Sequence, residues 1–487
     1  MEASSRGDGG RVGTGVRNCD EVLDGGLLPG SATLVRGAPG AGKTIFGLEF
    51  LAAGVEADEA GLYINLGEPA DYLRRTARSF GLEIDPVEFL DLSATKGEFR
   101  ADTTYDLFHS EEVETPELVD SIRETVESID PDRVVVDPVT ELRYLTSDEH
   151  QFRTQIMSLL DLLKSRDSTV LLTSQAAPSI PDDDLQFLVD AVLTLDLAAS
   201  RRTLEVSKFR GSSARSGKHS VTITDDGMCV WPRLDPSRHH REQSIETVSS
   251  GIPELDSLLG GGLTTGTNTF LSGPTGAGKT TVGLQFLSQA AADGRQSVVY
   301  SFEEGRHTMF ERARALGLPI EAVAEDGPLT IEVIDPETLT IDEFTARIRT
   351  EVETNGTEIV MIDGLSGYER AFGTVPEDLE REFVNVMRYL RNMNVTGIVT
   401  NEVHQITGEF RATEQHVSHI ADDIILLRHV EYRGELQKVI GVLKRRASDF
   451  ENRLRRLKID ESGLTVGEPL TGLRGILTGT PDWTDDD

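Results

Sequence analysis

Two stretches of the chain, "GAPGAGKT" at 37–44 and "GPTGAGKT" at 273–280, share one pattern: Gly, four residues, Gly, Lys, Thr. These residue types suit phosphate chemistry. Small residues let the backbone curl until successive N–H groups converge on an anion. Gly40, Ala41 and Gly42, and likewise Gly276, Ala277 and Gly278, would form that cradle. A helix starting at the Lys would turn its positive end toward the same anion. Lys43 and Lys279 would then reach the β- and γ-phosphates of ATP, and Thr44 and Thr280 would offer hydroxyls to Mg2+. Each stretch follows an apolar run ("SATLVR", "TNTFLS") and precedes an amphipathic one ("IFGLEFL", "TVGLQFL"), as a strand–loop–helix unit requires.

Carboxylates at the ends of other apolar runs extend the chemistry. "RVVVD" ends at Asp137 and "IVMID" at Asp363. A carboxylate closing a buried strand is costly unless it is hydrogen-bonded or near a metal, so both are expected to hold Mg2+ beside the phosphates. "INLGEPA" supplies Glu68, and "YSFEEGR" supplies Glu303 and Glu304. Such a glutamate near the γ-phosphate can take a proton from an attacking water or hydroxyl. The adjacent pair is expected to raise one pKa by like-charge repulsion. Finally, "LEVSKFRGS" and "IGVLKRRAS" carry Lys208 with Arg210 and Lys444 with Arg446. Two residues apart on a strand means one shared face. Each pair is expected to reach a neighbouring subunit's γ-phosphate and offset transition-state charge.

The elements that position these groups come in duplicate. Lys43 to Lys279, Glu68 to Glu304 and Lys208 to Lys444 are all separated by the same 236 residues (279 − 43, 304 − 68, 444 − 208). "GVRNCDEVLDGGLLPG" also answers to "GIPELDSLLGGGLTTG". This is a tandem duplication. Short β-branched runs alternating with helical patterns give the α/β class, a mostly parallel twisted sheet flanked by helices in each half. The expected layout is a tail at 1–10, a first domain at 11–231, a linker at 232–243, a second domain at 244–481 and an acidic tail at 482–487. The linker reading rests on a polar stretch with two prolines, "PRLDPSRHHREQ".

Composition narrows the setting. There are 83 acidic against 48 basic residues, a net charge of −35. Only nine residues are lysine. The balance resembles halophilic proteins, whose carboxylates keep the surface hydrated while salt screens their repulsion. No basic patch interleaved with aromatics is visible, so nucleic acid is not expected as a partner. Two distant cysteines and the absence of a long apolar run or a signal peptide lead us to expect a cytoplasmic protein without a membrane span.

Taken together, both phosphate loops, the Glu303–Glu304 pair, both Lys-x-Arg elements and the run "HIADDIILLRHVEYRGELQKVIGVLKRR" resemble the KaiC family, the double-domain branch of RecA-like ATPases. The resemblance spans roughly residues 12 to 481. It implies two tandem RecA-like P-loop NTPase domains, a six-membered double ring, ATP clamped between subunits, ATPase activity in the first ring and Ser/Thr autokinase activity in the second. It matches Thr413 and Ser418 in "TEQHVSHIADDIILL" to family phosphoacceptors, with His419 where a further Thr stands in the family. Gly67 departs from the family's first-ring glutamate pair, which leaves Glu68 alone there. The tail that engages KaiA has no counterpart in "TGTPDWTDDD", so a KaiA-type partner is not expected, although another regulatory protein is compatible. Two alternatives use the same machinery: a RecA- or RadA-like DNA-dependent ATPase, and an ATP-binding scaffold without kinase activity. The stretches "AAPSIPDDDLQF" and "ITGEFRATEQH", where a recombinase carries basic DNA loops, are acidic or mixed.

Overall fold

The structure is a computed structural model. It describes residues 10–92, 114–146, 148–175, 182–198, 201–325, 327–335, 339–372, 376–403, 420–432, 435–446, 449–470, 473–474 and 482–483. The candidate acceptors Thr413 and Ser418, with His419, lie outside the described residues.

The chain divides into two compact units between Arg233 and Leu234. In the first, nine strands form one sheet: β1 (Ala32–Gly37), β2 (Gly61–Asn65), β3 (Glu88–Asp91), β4 (Arg133–Asp137), β5 (Thr169–Gln175), β6 (Ala191–Ala198), β7 (Arg201–Phe209), β8 (Lys218–Thr224) and β9 (Gly227–Trp231). Their order is 3-2-4-5-1-6-7-8-9. Pairings from β3 across to β6 are parallel, and β6 to β9 continue antiparallel.

The second unit repeats this plan. A short pair, β10 (Thr247–Val248) with β11 (Leu263–Thr264), precedes it. Then come β12 (Asn268–Gly273), β13 (Ser297–Ser301), β14 (Leu329–Val333), β15 (Ile359–Asp363), β16 (Thr396–Glu402), β17 (Asp423–Tyr432), β18 (Glu435–Lys444), β19 (Arg455–Asp460) and β20 (Gly463–Pro469). The order is 14-13-15-16-12-17-18-19-20. Local detail repeats too. Asp20 accepts from the N–H and hydroxyl of Thr14, and Asp256 does the same for Ser250.

Both faces of each parallel region are covered, which explains why its strands read as unbroken apolar runs rather than alternating ones. In the second unit Val299 and Met361 face one cluster with Phe286 and Leu287 of the phosphate-loop helix. Val298, Tyr300, Val360 and Ile362 face the other, with Phe344, Tyr368, Phe372 and Phe383. The rings of that second cluster meet mostly edge-on, as in Tyr300–Phe344 at 5.0 Å and Tyr368–Phe372 at 4.9 Å. Part of the polar stretch expected as a linker is fastened to this unit. Leu234 is buried in its aromatic cluster, and Asn392 Nδ2 donates to the Pro236 carbonyl at 2.8 Å.

The phosphate-loop helix of the first unit, Lys43–Glu56, is buried on several sides and carries the carboxyl of Glu49 inward. Glu49 Oε1 accepts from the Met228 N–H at 2.6 Å, and Glu49 Oε2 is buried with no hydrogen-bond partner. Burial pushes its carboxyl up to about 7, against the Met228 hydrogen bond and Arg17, which pull it down. The equivalent residue of the second unit is the neutral Gln285, whose amide donates to Ser250 O at 2.8 Å. A pKa raised on folding contributes stability at low pH that is lost as pH rises through the folded value. Glu49→Gln is therefore expected to raise the melting temperature at pH 8 by a few degrees, on the order of 1–3 kcal/mol. At pH 5 it should change little. Thermal unfolding of parent and variant at both pH values checks this, and an equal effect at both would contradict it.

Candidate nucleotide-binding sites

Each phosphate loop leaves the carboxyl end of a central strand, β1 or β12, and runs into a long helix. Such loops at the carboxyl edge of a parallel sheet are where ligands bind in this fold class. The residue before each helix must be glycine: Gly42 and Gly278 have φ of 109° and 104°. A Cβ there would also come within 2.6 Å of Met228 Cε, or within 2.4 Å of Ile459 Cδ1.

The loop lysines fold back over the cradle. Lys43 Nζ donates to Gly37 O and Ala38 O, both at 2.9 Å. Lys279 Nζ donates to Gly273 O at 2.9 Å and Pro274 O at 3.0 Å. Burial lowers the pKa of both. The carboxylates at 137 and 363 lie beside the loop threonines. Thr44 Oγ1 donates to Asp137 Oδ2 at 2.9 Å, and Thr280 Oγ1 to Asp363 Oδ1 at 2.9 Å. Sequence reading missed the further hydroxyls that hold them. Asp137 also accepts from Tyr63 at 2.6 Å and from Thr173, and Asp363 accepts from Thr400 at 2.8 Å. A hydroxyl-bearing residue inside an otherwise apolar buried run, as in Tyr63, Thr173 and Thr400, is the local signal that could have flagged them. Each site thus pairs a hydroxyl with a carboxylate, the hard oxygen donors that Mg2+ takes a few at a time from protein while keeping water and phosphate. Thr44 with Asp137, and Thr280 with Asp363, fit that ion. Among the described residues no group of three or more His, Cys, Asp or Glu forms a closed metal site.

Like-charge repulsion between the adjacent glutamates, expected from the sequence to raise one pKa, is the smallest influence on Glu304 and is not among those on Glu303. Neighbours at a strand end point apart. Glu304 turns to the helix Arg306–Ala315 and ion-pairs with Arg312 at 2.9 Å. Glu303 leans over β15's exit, where a Cβ on Gly364 would come within 2.5 Å of its Cγ. Its pKa is raised by partial burial first, then by Asp363 and Glu402, while Lys279 and Arg370 pull it down. Glu304 is raised mainly by burial, with Arg312 opposing and Glu303 a minor contributor. Glu68 is raised by burial and Asp137. Gly67, in the place of Glu303, also has a structural partner. Pro138 stands where the second unit has Gly364, and a Cβ on Gly67 would come within 3.1 Å of Pro138 Cδ. Glutamate and glycine in one unit have been exchanged for glycine and proline in the other.

The Lys-x-Arg elements sit at β-bulges. Register shifts between Val192 and Leu193, and between Ile424 and Ile425, fall opposite Lys208 and Lys444. A bulge re-aims the side chains beyond it. The regular strands end at Phe209 and Lys444, so the shared-face rule does not extend to Arg210 and Arg446. In the single chain Lys208 Nζ donates to Gln186 O at 2.6 Å and Val189 O at 2.7 Å. Lys444 Nζ donates to Ala421 O at 2.5 Å, and Arg446 lies 3.5 Å from Asp422. No helix among the described residues is long and apolar enough to cross a membrane.

Two mostly parallel sheets, each with a glycine-rich loop entering a helix and a strand-end aspartate beside the loop threonine, define tandem RecA-like P-loop ATPase domains. Comparison with known proteins agrees. The family profile described as "ATPase: KaiC" matches residues 12–235 and again 248–471. The chain is 28% identical to the circadian clock protein KaiC3 of Synechocystis sp., over 97% of this chain and 95% of that protein. It is 30% identical to the circadian clock oscillator proteins KaiC of Parathermosynechococcus lividus and Synechococcus elongatus, over 96% and 97% of this chain and 87% and 92% of theirs. The chain belongs to the KaiC family.

The Gly67–Pro138 contact makes a double substitution more tolerable than a single one. Gly67→Glu alone is expected to lower the melting temperature by pressing on Pro138. Adding Pro138→Gly should recover most of the loss. Thermal unfolding of the two variants decides, and equal losses would contradict the coupling.

Proposed function

We propose that the chain forms a homohexameric ring, hydrolyses ATP between subunits in both domains, and phosphorylates its own Ser418 or Thr413 in the second, acting as a regulatory switch. The observation that carries this reading is the division of labour at the second site. Glu304 is tied to Arg312, while Glu303 stands open beside Lys279 and Asp363. A carboxylate held above its usual pKa, with no ion pair among the described residues, suits a proton acceptor.

In this reading the loop N–H groups and Lys43 or Lys279 bind and orient the triphosphate. Thr44 with Asp137, and Thr280 with Asp363, would hold Mg2+, which supplies charge neutralisation on the phosphates when bound. Glu303 accepts the proton of an incoming water or hydroxyl as its oxygen attacks the γ-phosphorus, and ADP leaves with the electron pair of the broken P–O bond. Glu68 takes this role in the first domain. Lys208 and Arg210, and Lys444 and Arg446, would reach the neighbour's γ-phosphate and stabilise transition-state charge.

Incubation with γ-labelled ATP and Mg2+ in molar KCl, followed by phosphosite mapping, tests the reading. Label on Ser418 or Thr413 is expected. Glu303→Gln should cut incorporation about 100-fold or more, the usual worth of a general base, with nucleotide binding retained. Free phosphate without labelled protein would leave an ATPase only. Neither product would leave a binding scaffold. ATPase stimulated by DNA would favour the recombinase alternative.

A further inference from the structure

The two phosphate loops differ most at a residue outside the sequence motif. Register pairing sets the last residue of β16 opposite the first glycine of the second loop, Glu402 against Gly273. The same register in the first unit sets Gln175 against Gly37. Glu402 is tied to the loop itself: Thr275 Oγ1, on the loop tip, donates to Glu402 Oε1. The first unit cannot copy this contact, because Pro39 stands in the place of Thr275 and has no side-chain donor. A third difference lies over the tip. On the first tip Arg202 donates to Gly40 O at 3.3 Å, and a Cβ on Gly40 would meet the apolar Leu197, whereas a Cβ on Gly276 would meet His429.

The charge around the lysines follows. Asp137 is the carboxylate that acts on Lys43. Glu402, Glu303 and Asp363 all act on Lys279. His429 adds no lasting positive charge, since partial burial, then Lys438 and Lys279, hold its pKa below the ordinary value. The second cradle therefore holds more negative charge around its lysine than the first, before any phosphate arrives.

We propose that Glu402 is a specificity-determining residue of the second site: its carboxylate rejects a bare nucleotide triphosphate and makes tight binding there depend on a divalent cation more strongly than at the first site. The proposal rests on the second loop being a nucleotide site. Two anionic groups facing one lysine repel, and a cation between the phosphates and the carboxylates removes that repulsion. Gln175 at the first site carries no charge and imposes no such requirement.

The experiment uses the full chain with the first loop silenced by Lys43→Ala. Binding of a fluorescent ATP analogue is titrated at fixed KCl, in excess EDTA and in excess Mg2+. Glu402→Gln keeps an oxygen that can accept from Thr275. It is expected to tighten EDTA binding about five-fold, the effect of one partly screened unit charge, while Mg2+ binding changes by less than about two-fold. In the converse background, Lys279→Ala, Gln175→Glu should weaken EDTA binding at the first site selectively. An unchanged ratio of the two affinities on Glu402→Gln would overturn the proposal. So would equal weakening in both conditions, which would reduce Glu402 to a structural tie on Thr275. No binding even with Mg2+ in the Lys43→Ala chain would overturn the second nucleotide site as well.

Discussion

Each half of this protein is organised around a carboxylate that the fold buries at the end of a parallel strand. Asp137 and Asp363 are 8% and 3% exposed. Burying such a group without partners costs several kcal/mol. The fold offsets that cost with hydroxyls from neighbouring elements: Thr44, Tyr63 and Thr173 around Asp137, and Thr280 and Thr400 around Asp363. One hydroxyl in each set belongs to the phosphate loop's own helix. The same interaction that satisfies the aspartate thus fixes the loop against the sheet and sets paired oxygen donors where a phosphate-bound cation would sit. Strand order and helix packing serve that alignment.

On this shared frame the two halves have diverged by coupled exchanges. Glu303 occupies space that Gly364 leaves open, whereas Gly67 leaves space beside Pro138. Thr275 and Glu402 form a hydrogen-bonded pair where the first unit has Pro39 and Gln175. The second cradle is consequently richer in carboxylates around its lysine than the first. Both exchanges leave the aspartate and the threonine that anchor each loop in place.

Much of this was legible from residues alone. The loops, the strand-end aspartates and the tandem repeat carry strong local patterns, because backbone geometry and burial dictate them. The parallel strands around the loops were marked by their apolar runs for the same reason. What the sequence hid was pairing across elements. Nothing local says that Glu304 finds Arg312, or that Glu303 answers to Asp363 and Glu402 rather than to its neighbour. Thr173, Thr400 and Glu402 sit at strand ends whose significance depends on which strand adjoins the loop, a matter of sheet order. The strand ends that stop the shared face before Arg210 and Arg446 are equally silent in sequence, since a ladder can end at any residue type.

The central claim is that both loops of one chain are working phosphate cradles. Titration calorimetry of the full chain with a non-hydrolysable ATP analogue and Mg2+ tests it most directly. One nucleotide bound per loop is expected, with Lys43→Ala and Lys279→Ala each abolishing one binding event and leaving the other. A stoichiometry unchanged by either substitution would contradict the account, because occupancy would then owe nothing to the lysines around which both sites are built.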